Sequence, residues 1–272
     1  MTKRFAGAAM WACGLALLAL AALGVGQGSR AIPLDAGLAR CAQIGPLPCV
    51  APVPPPPSPQ TITFDTETST ASCGTSCTPI SGGSIGAVCP NRVVVVAFSE
   101  ISISNAAANS ASGTTIGGTT ATVIQENNAN NGTNNVYSGI LAVALSTGTT
   151  ATVVAANSQS MSRLYAGMWT ICNVQSTTKK NSLVASIASN TLTYSMNTVA
   201  GDVGVGAFFT NGTASATTTW TGATKRYDDN TQGSVGGGAD FTETTTQTPR
   251  TITAATAACA SNSCAGVAAS WH

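Results

Sequence analysis

The chain has 272 residues, only 8% of them are charged, and its formal net charge at pH 7 is +1. Binding to nucleic acid needs several lysine or arginine side chains on one face, so no nucleic-acid partner is expected. Because Thr, Ser and Asn supply most of the polar side chains, we expect a surface solvated by hydroxyls and amides rather than by ions.

Residues 1–31 form an apolar leader. A basic tip at Lys3 and Arg4 precedes an uncharged run from Phe5 to Gly26. The dense apolar part, Gly14 to Gly24, matches a signal-peptide core of about 7–15 residues, whereas a membrane-spanning helix needs about 20. Small residues at positions 29 and 31 favour cleavage, and an uncleaved membrane anchor is the alternative. The sequence therefore predicts an extracytoplasmic protein that meets a membrane only through this segment.

Residues 32–60 are predicted to form a linker rich in cysteine and proline. The proline-rich run from Pro52 to Pro59 favours an extended, semi-rigid spacer. It separates the leader from a domain predicted over residues 61–272, a length that suits one all-β domain.

Nine cysteines are present, and Cys13 in the leader leaves an even set of eight. An even set in an exported chain indicates disulfide bonds. The simplest pairing joins neighbours in sequence and leaves Cys89 and Cys172 to pair over distance; the neighbouring pairs are Cys41 with Cys49, Cys73 with Cys77, and Cys259 with Cys264. A zinc site made by the last four is a weaker alternative, because their spacing is loose and no histidine assists.

Short apolar or alternating segments begin at Thr61. The run RVVVVAFS (92–99) is rich in β-branched residues and too short for a helix, so it predicts a central strand. Alternation over 191–196 places Leu192, Tyr194 and Met196 on one buried face. Further strands are predicted at Thr119–Gln125, Val136–Leu145, Ala151–Ala156, Leu164–Val174, Val203–Phe209, Ala216–Thr221, Asp240–Thr246, Thr251–Ala255 and Gly266–Trp271.

Glycine-containing turn signals separate these segments: Gly117-Gly118, Asn131-Gly132, Thr147-Gly148, Asn211-Gly212 and Gly236-Gly237-Gly238. About ten short strands punctuated in this way predict an all-β fold, a single antiparallel β-sandwich or jelly roll. Past the leader, only Asn105–Ser112 could form a helical turn, and it fits a loop equally well. The expected aromatic anchors of the core are Trp169, Phe208, Phe209, Trp220, Phe241 and Trp271.

Two enzymatic patterns are present in weak form. The segment GGSIG (82–86) matches a serine-hydrolase motif, but that motif needs a following helix and a histidine base, and the only histidine is His272. A glycine-rich turn is therefore favoured. Glycoside hydrolysis needs two facing carboxylates about 5–10 Å apart, which Glu100 with Glu126, or Asp240 with Glu243, would have to provide.

Asp228-Asp229-Asn230, with Asp240 and Glu243 downstream, is the densest group of oxygen ligands and the candidate for calcium. Because Lys225 and Arg226 precede it, a charged hairpin turn is the favoured interpretation. No metal, no cofactor and no catalytic residue are predicted.

Two polar stretches, Ser102–Thr120 and Gln125–Asn135, are predicted to be exposed loops. Their hydroxyls and amides suit contact with sugars without the use of charge. Asn131 and Asn211 match the glycan-acceptor pattern, and both also fit hairpin turns.

Eight strand-and-turn segments lie between about residues 84 and 271: RVVVVAFS (92–99), TTIGGTTATVI (114–124), NNVYSGILAV (134–143), TGTTATVVAA (147–156), MSRLYAGMWTI (161–171), GDVGVGAFF (201–209), TTWTGATKRYDD (218–229) and AGVAASW (265–271). Together they resemble a β-sandwich module of phage and prophage virion proteins of α-proteobacterial type. The resemblance implies a spike, fibre or decoration domain of a capsid or tail. The leader departs from it, because virion parts assemble in the cytoplasm.

The sequence therefore predicts a non-enzymatic, extracytoplasmic structural or binding module, with a virion-like surface role preferred. A secreted or anchored cell-surface glycan-binding adhesin is the alternative, and a secreted glycoside hydrolase is the second alternative. The expected partners are surface glycans, other virion or envelope proteins, and further copies of the same chain.

Overall fold

The computed structural model describes residues 58–176, 179, 181–186, 190–211, 217–231, 233–256, 259 and 264–272. These residues belong to one compact unit, Pro56–His272. The leader, most of the linker, and Cys41 with Cys49 lie outside them. No helix in the described ranges is long and apolar enough to cross a bilayer.

The described part of the chain is built from antiparallel β-strands, which confirms the predicted all-β class. The strands are β1 (Thr61–Thr70), β2 (Gly74–Ser84), β3 (Val93–Ser102), β4 (Thr115–Ile116), β5 (Thr119–Thr120), β6 (Thr122–Asn130), β7 (Asn135–Ala144), β8 (Thr150–Met161), β9 (Arg163–Cys172), β10 (Asn181–Ser186), β11 (Thr191–Thr198), β12 (Val203–Thr210), β13 (Thr219–Thr221), β14 (Thr224–Asp229), β15 (Val235–Thr242), β16 (Gln247–Ala255) and β17 (Cys264–Trp271).

The strands form four sheets, two from each half of the chain. The inner N sheet has the order β1-β9-β3-β7-β6, and the outer N sheet has the order β2-β8-β4-β5. The inner C sheet has the order β10-β17-β12-β15-β14, and the outer C sheet has the order β11-β16-β13. Residues 61–172 therefore supply one pair of sheets, and residues 181–271 supply the other.

Three layers of buried side chains separate the four sheets. Val94, Val96 and Phe98 of the inner N sheet pack against Ile80, Ile116 and Val153 of the outer N sheet. Val93, Val95 and Trp169, on the opposite face, pack against Val205, Val267 and Trp271 of the inner C sheet. Phe208 and Phe241 then pack against Leu192, Tyr194 and Ile252 of the outer C sheet. The sheets are thus stacked in the order outer N, inner N, inner C, outer C.

This stacking explains the contrast between continuous and alternating sequence patterns. Every residue of β3 is buried, because the inner N sheet is covered on both faces, and β3 pairs with β7 and β9 as the predicted central strand. In β11, by contrast, alternate residues are exposed, and Leu192, Tyr194 and Met196 face the core as predicted. Strands buried on both faces read as continuous apolar runs, and half-buried strands alternate.

The two halves of the chain repeat one strand order. Taken along the chain, β1, β3, β6, β7 and β9 of the inner N sheet occupy the same relative positions as β10, β12, β14, β15 and β17 of the inner C sheet. The outer sheets match in the same way, because β2-β8-β4 corresponds to β11-β16-β13. The outer N sheet has one further strand, β5. The fold is therefore a tandem repeat of one two-sheet unit.

The predicted count of about ten strands in a single two-sheet sandwich is too low. The described residues contain seventeen strands in four sheets. Gly236-Gly237-Gly238, predicted as a turn, lies inside β15, and Asn105–Ser112 forms a loop rather than a helical turn. Stretches of two or three residues such as β4, β5 and β13 carry too few side chains to show a period.

Aromatic side chains fill the core at the expected positions. Trp169, Phe208, Phe209, Phe241 and Trp271 are buried. Trp220 is partly buried and packs against the cluster between the C sheets. Glycines leave room for three of these rings, because a Cβ on Gly238 would meet Trp169, one on Gly206 would meet Trp220, and one on Gly204 would meet Phe241.

Three disulfide bonds join six of the eight candidate cysteines: Cys73 with Cys77, Cys89 with Cys172, and Cys259 with Cys264. The zinc hypothesis was wrong, because its four sulfur atoms are paired with one another in two disulfides. Intramolecular disulfides form and persist in oxidising compartments, so they indicate an extracytoplasmic environment.

Candidate functional site

One group of converging polar side chains surrounds Glu100. Glu100 lies near the end of β3, on the face that packs against the outer N sheet, and it is fully buried. Asn109 Nδ2 donates to Glu100 Oε2 at 3.0 Å, and Asn157 Nδ2 donates to Glu100 Oε1 at 3.4 Å. Asn109 Nδ2 also donates to Asn157 Oδ1 at 3.0 Å. The three side chains form a closed network that links β3, β8 and the loop before β4.

The loop that carries Asn109 is held in place by further amide contacts. Asn109 N–H donates to Asn128 Oδ1 at 2.8 Å, and Asn128 Nδ2 donates back to the Asn109 carbonyl at 3.0 Å. The prediction that Ser102–Thr120 is an exposed loop was therefore wrong in part: Ser102, Asn109, Ala111, Thr114 and Ile116 are buried. The second predicted loop, Gln125–Asn135, lies mainly in β6 and the turn that follows it.

Burial raises the pKa of Glu100 to about 8, although the hydrogen bond from Asn157 opposes the rise. The carboxyl is therefore mostly protonated at neutral pH. A protonated carboxyl enclosed by two asparagines can stabilise the fold, but it has no solvent-exposed surface with which to contact a substrate.

Glu126, the predicted partner of Glu100, lies on β6 and is bonded to a tyrosine. Tyr137 Oη donates to Glu126 Oε2 at 3.2 Å. Burial raises the pKa of Tyr137 well above 10, and the negative charges of Glu100 and Glu126 act in the same direction. Glu126 is thus hydrogen-bonded to a buried tyrosine, and both glutamates act electrostatically on that same residue.

Asp240 is part of the contact between the two inner sheets. Its Oδ2 accepts from Trp169 Nε1 at 2.8 Å and from Arg226 Nε at 2.6 Å, and its Oδ1 accepts from Arg226 Nη2 at 2.9 Å. Asp240 is buried, whereas Arg226 reaches the surface. The buried carboxylate thus accepts three hydrogen bonds, two of them from Arg226.

Glu243 belongs to a separate network on the outer C side. Thr198 Oγ1 donates to Glu243 Oε1 at 2.9 Å, Gln247 Nε2 donates to Oε2 at 3.1 Å, and Arg250 forms an ion pair with it. The Arg250 guanidinium also lies 4.3 Å from the centre of the Phe241 ring. Asp240 and Glu243 therefore do not form a facing catalytic pair.

The candidate calcium ligands are dispersed in the same way. Asp228 Oδ2 accepts from the Thr218 N–H at 2.7 Å and from Lys225 Nζ at 3.2 Å, and Asp229 Oδ1 accepts from Thr231. Within the described ranges no three His, Cys, Asp or Glu residues are placed to hold a metal ion. Asp228 and Asp229 end β14 and Asn230 follows them, so the group stands at the charged hairpin between β14 and β15 that the sequence favours over a calcium site.

The serine-hydrolase motif lies at the end of β2 and in the loop after it. Ser84 Oγ accepts from the Gly86 N–H at 3.3 Å, and no helix follows. The only histidine, His272, has its Nδ1 2.6 Å from Asp202 Oδ1. Both residues of that pair lie in the C-terminal half, so the arrangement has no relation to Ser84.

Two polar residues were missed by sequence reasoning, the buried Arg92 and the half-buried Asp65. Arg92, which is only 2% exposed, donates from Nε to the Leu145 carbonyl at 2.7 Å and from Nη2 to the Thr147 and Gly148 carbonyls at 2.6 and 2.9 Å. Burial raises the pKa of Asp65 to about 6, opposed by a hydrogen bond from Thr170 and by the Arg92 charge. A lone charge beside an apolar run is the signal that could have identified Arg92.

The outer face of the outer C sheet carries an ordered set of hydroxyl groups, here called the threonine face. Its exposed or half-exposed positions are Thr191, Thr193 and Ser195 of β11, Thr251, Thr253 and Ala255 of β16, and Thr219 and Thr221 of β13. Register places Thr193, Thr253 and Thr221 side by side across three strands. None of these positions carries a charge.

A shallow cavity of about 290 Å³ lies at one end of the threonine face. Its lining contains hydroxyl and amide groups but no charged side chain: Asn190, Thr191, Thr217, Thr219, Ala255 and Thr256. Thr256 is buried, and its hydroxyl has no hydrogen-bond partner within the part of the chain that the structure describes.

Comparisons with protein families, with characterised proteins and with solved structures each found no match to this chain. The resemblance to virion modules therefore stays a prediction from the sequence segments alone.

Proposed function

We propose that the protein is a non-enzymatic structural module of an extracytoplasmic surface, of the virion spike, fibre or decoration type. The observation that carries the proposal is the state of its acidic side chains. Glu100 is enclosed by two asparagines, Asp240 is held by Arg226 and Trp169, and Glu243 is held by Arg250. Acidic side chains of the kind that act in acid–base catalysis here form hydrogen bonds and ion pairs inside the fold.

The stacking of the sheets supports the same role. Two sheets buried on both faces give a thick apolar interior, and three disulfides constrain the unfolded chain. Such a body suits a surface component that must survive outside the cell. The proline-rich linker would hold this body away from whatever the N-terminal segment is attached to.

The proposal is tested by fractionating the native source and locating the protein by mass spectrometry, which also defines its mature N-terminus. We expect it on particles or on the cell envelope, and in solution as a symmetric oligomer by light scattering. A hydrolytic activity on polysaccharides that is abolished by Glu100→Gln, Glu126→Gln or Asp240→Asn, in variants that keep the wild-type circular dichroism spectrum, would contradict a non-enzymatic role.

A glycan-binding surface role is the second candidate, and the threonine face favours it. Sugar hydroxyls are recognised by hydroxyl and amide groups in shallow sites, and the cavity beside Thr256 offers both without charge. Retention on a polysaccharide array is the direct test. Binding should be lost in Thr193→Lys and in Thr253→Lys, and kept in Thr150→Lys, which places the same single charge on the outer N sheet.

A further inference from the structure

One of three consecutive glycines in β15 has no steric reason to be glycine. A Cβ on Gly236 would lie 2.5 Å from Tyr165, and a Cβ on Gly238 would lie 2.2 Å from Tyr227, so aromatic rings occupy both spaces. Gly237 faces the other way, toward the outer C sheet. A Cβ there would meet no atom closer than 3.5 Å, so a methyl group would fit.

The atoms that surround this space are polar. The Tyr227 backbone oxygen lies 3.5 Å from the Cβ position of Gly237, and Thr218 Oγ1 and Trp220 Nε1 each lie 3.7 Å from it. Thr218 is 1% exposed. Neither its hydroxyl nor the Trp220 indole N–H has a hydrogen-bond partner among the residues that the structure describes. Buried polar groups in native proteins nearly always have partners, so this convergence calls for an occupant.

We propose that a single water molecule is bound above Gly237 as an integral part of the protein. It would accept a hydrogen bond from Trp220 Nε1, share one with Thr218 Oγ1, and donate to the Tyr227 carbonyl. Buried waters typically make about three such bonds to groups that lack other partners. Asp228 lies opposite Gly237 in the register, and its buried Oδ1 also lacks a described partner, which offers a second acceptor.

The water connects β13 to the inner C sheet. Thr218 immediately precedes β13 and Trp220 lies within it, and this strand of three residues pairs only with β16. Trp220 stacks on Tyr194 with 6.3 Å between ring centroids, and a water at its Nε1 fixes the orientation of the ring. The site therefore holds the short edge strand of the threonine face in place, whichever surface role the protein has.

Gly237→Ala is the decisive substitution. Replacing glycine by alanine where the backbone allows it normally stabilises a protein, because the unfolded chain loses freedom. Here the new methyl group would displace the water and leave the Trp220 and Thr218 donors unpaired. We expect the melting temperature to fall by about 2–4 °C, as for a small loss of stability in a domain of this size. An unchanged or higher melting temperature overturns the proposal.

Thr218→Val is an independent test, because the direction of its change in melting temperature depends on whether the water is present. With the water present, the valine removes one of its partners, so the melting temperature falls. In a Gly237→Ala background, where the water is displaced, the same valine replaces an unpaired buried hydroxyl and the melting temperature rises, so the two sites are coupled. Without the water, the valine replaces an unpaired buried hydroxyl and raises the melting temperature, which overturns the proposal. Thr253→Val, an exposed position on the same outer sheet, is the control and should change little.

The water is observed directly by NMR. The indole N–H signal of Trp220, assigned by its loss in Trp220→Phe, should show a cross-relaxation peak to bound water in the wild-type protein. The peak should disappear in Gly237→Ala while the other indole signals stay unchanged. A folded wild-type protein whose Trp220 indole proton shows no contact with water overturns the proposal.

Discussion

Trp169 donates its indole N–H to Asp240 across the contact between the two inner sheets, with 2.8 Å between Nε1 and Oδ2. The same carboxylate accepts two hydrogen bonds from Arg226 of β14. One buried charge therefore joins the N-terminal and C-terminal halves of the protein.

Asp240→Asn should destabilise the protein by about 2–4 kcal/mol, because removing one partner leaves the Arg226 fork and the indole N–H with a poorer acceptor in a buried site. Urea denaturation followed by tryptophan fluorescence measures the loss. Lys225→Gln is the control, since its ion pair with Asp228 is exposed on the lysine side and is expected to contribute less than about 1 kcal/mol. Equal effects of the two substitutions would show that the inner pair adds no stability.

Glu100 should make the stability of the protein fall as the pH rises. Its folded-state pKa is raised from 4.5 to about 8, so the folded state binds its proton more tightly than the unfolded state does. The resulting stabilisation is fully present below about pH 4.5, declines at up to about 1.4 kcal/mol per pH unit, and is lost above about pH 8.

Glu100→Gln isolates this contribution. Asp65 adds a dependence of the same sign between about pH 4 and 6, so the informative quantity is the difference between variant and wild type across pH 5–9. The free energy of unfolding of Glu100→Gln, relative to that of the wild type, should increase as the pH rises to about 8. Glu126→Gln controls for the loss of a carboxyl group that is only half-buried. A difference that is flat with pH would contradict a protonated Glu100.

The disulfides should differ in their contributions to stability. Cys89 and Cys172 are 83 residues apart, whereas Cys73 and Cys77 are 4 apart. Because a cross-link stabilises mainly by restricting the unfolded chain, replacing the first pair by alanines should cost about 4–5 kcal/mol and replacing the second about 2 kcal/mol. Guanidinium denaturation of the two double variants gives the order. The reverse order would show that native-state packing outweighs loop closure.

Arg92 should act as a brace for the turn after β7. Arg92→Ala leaves the carbonyls of Leu145, Thr147 and Gly148 without their donor in part-buried contacts, at an expected cost of about 2 kcal/mol. Arg92→Lys keeps the charge but replaces a planar fork by a single ammonium, so its loss should be intermediate. Denaturant midpoints rank the three proteins, and a lysine variant as stable as the wild type would contradict the fork geometry.

Neither half should fold alone. A fragment ending at residue 176 would expose Val93, Val95 and Trp169, which the inner C sheet covers in the intact protein. We expect that fragment to aggregate when expressed alone and to become soluble when the remaining residues are co-expressed. A soluble, cooperatively unfolding N-terminal fragment would show that this face does not need its cover.

The sequence predicted the strands of the sheet interiors better than those of the edges. The runs around Val93–Phe98 and Val203–Phe209 were identified because both faces of those strands are apolar. Five strands were missed, β1, β2, β4, β10 and β14, and all of them except β4 lie at the edge of a sheet. Edge strands have one paired neighbour and tolerate polar side chains, so their period is weak.

The glycines of β15 misled sequence reasoning for a related reason. Gly236-Gly237-Gly238 has the composition of a turn. Gly236 and Gly238 are required by the rings of Tyr165 and Tyr227, which lie on other strands and are not adjacent in sequence. The cysteine pairs near in sequence could be predicted because a short loop leaves few partners. The enclosure of Glu100 could not, because Asn109 and Asn157 reach it only once β3 and β8 belong to facing sheets.

The shared strand order of the two halves makes the junction of the inner sheets a subunit contact contained in one polypeptide. A pair of separate chains would come apart on dilution, whereas these two halves remain together at any concentration and always in one-to-one proportion. Because the two halves are covalently linked, each can carry different side chains on its outer sheet. The N-terminal half encloses the Glu100 network, and the C-terminal half presents the uncharged threonine face to solvent.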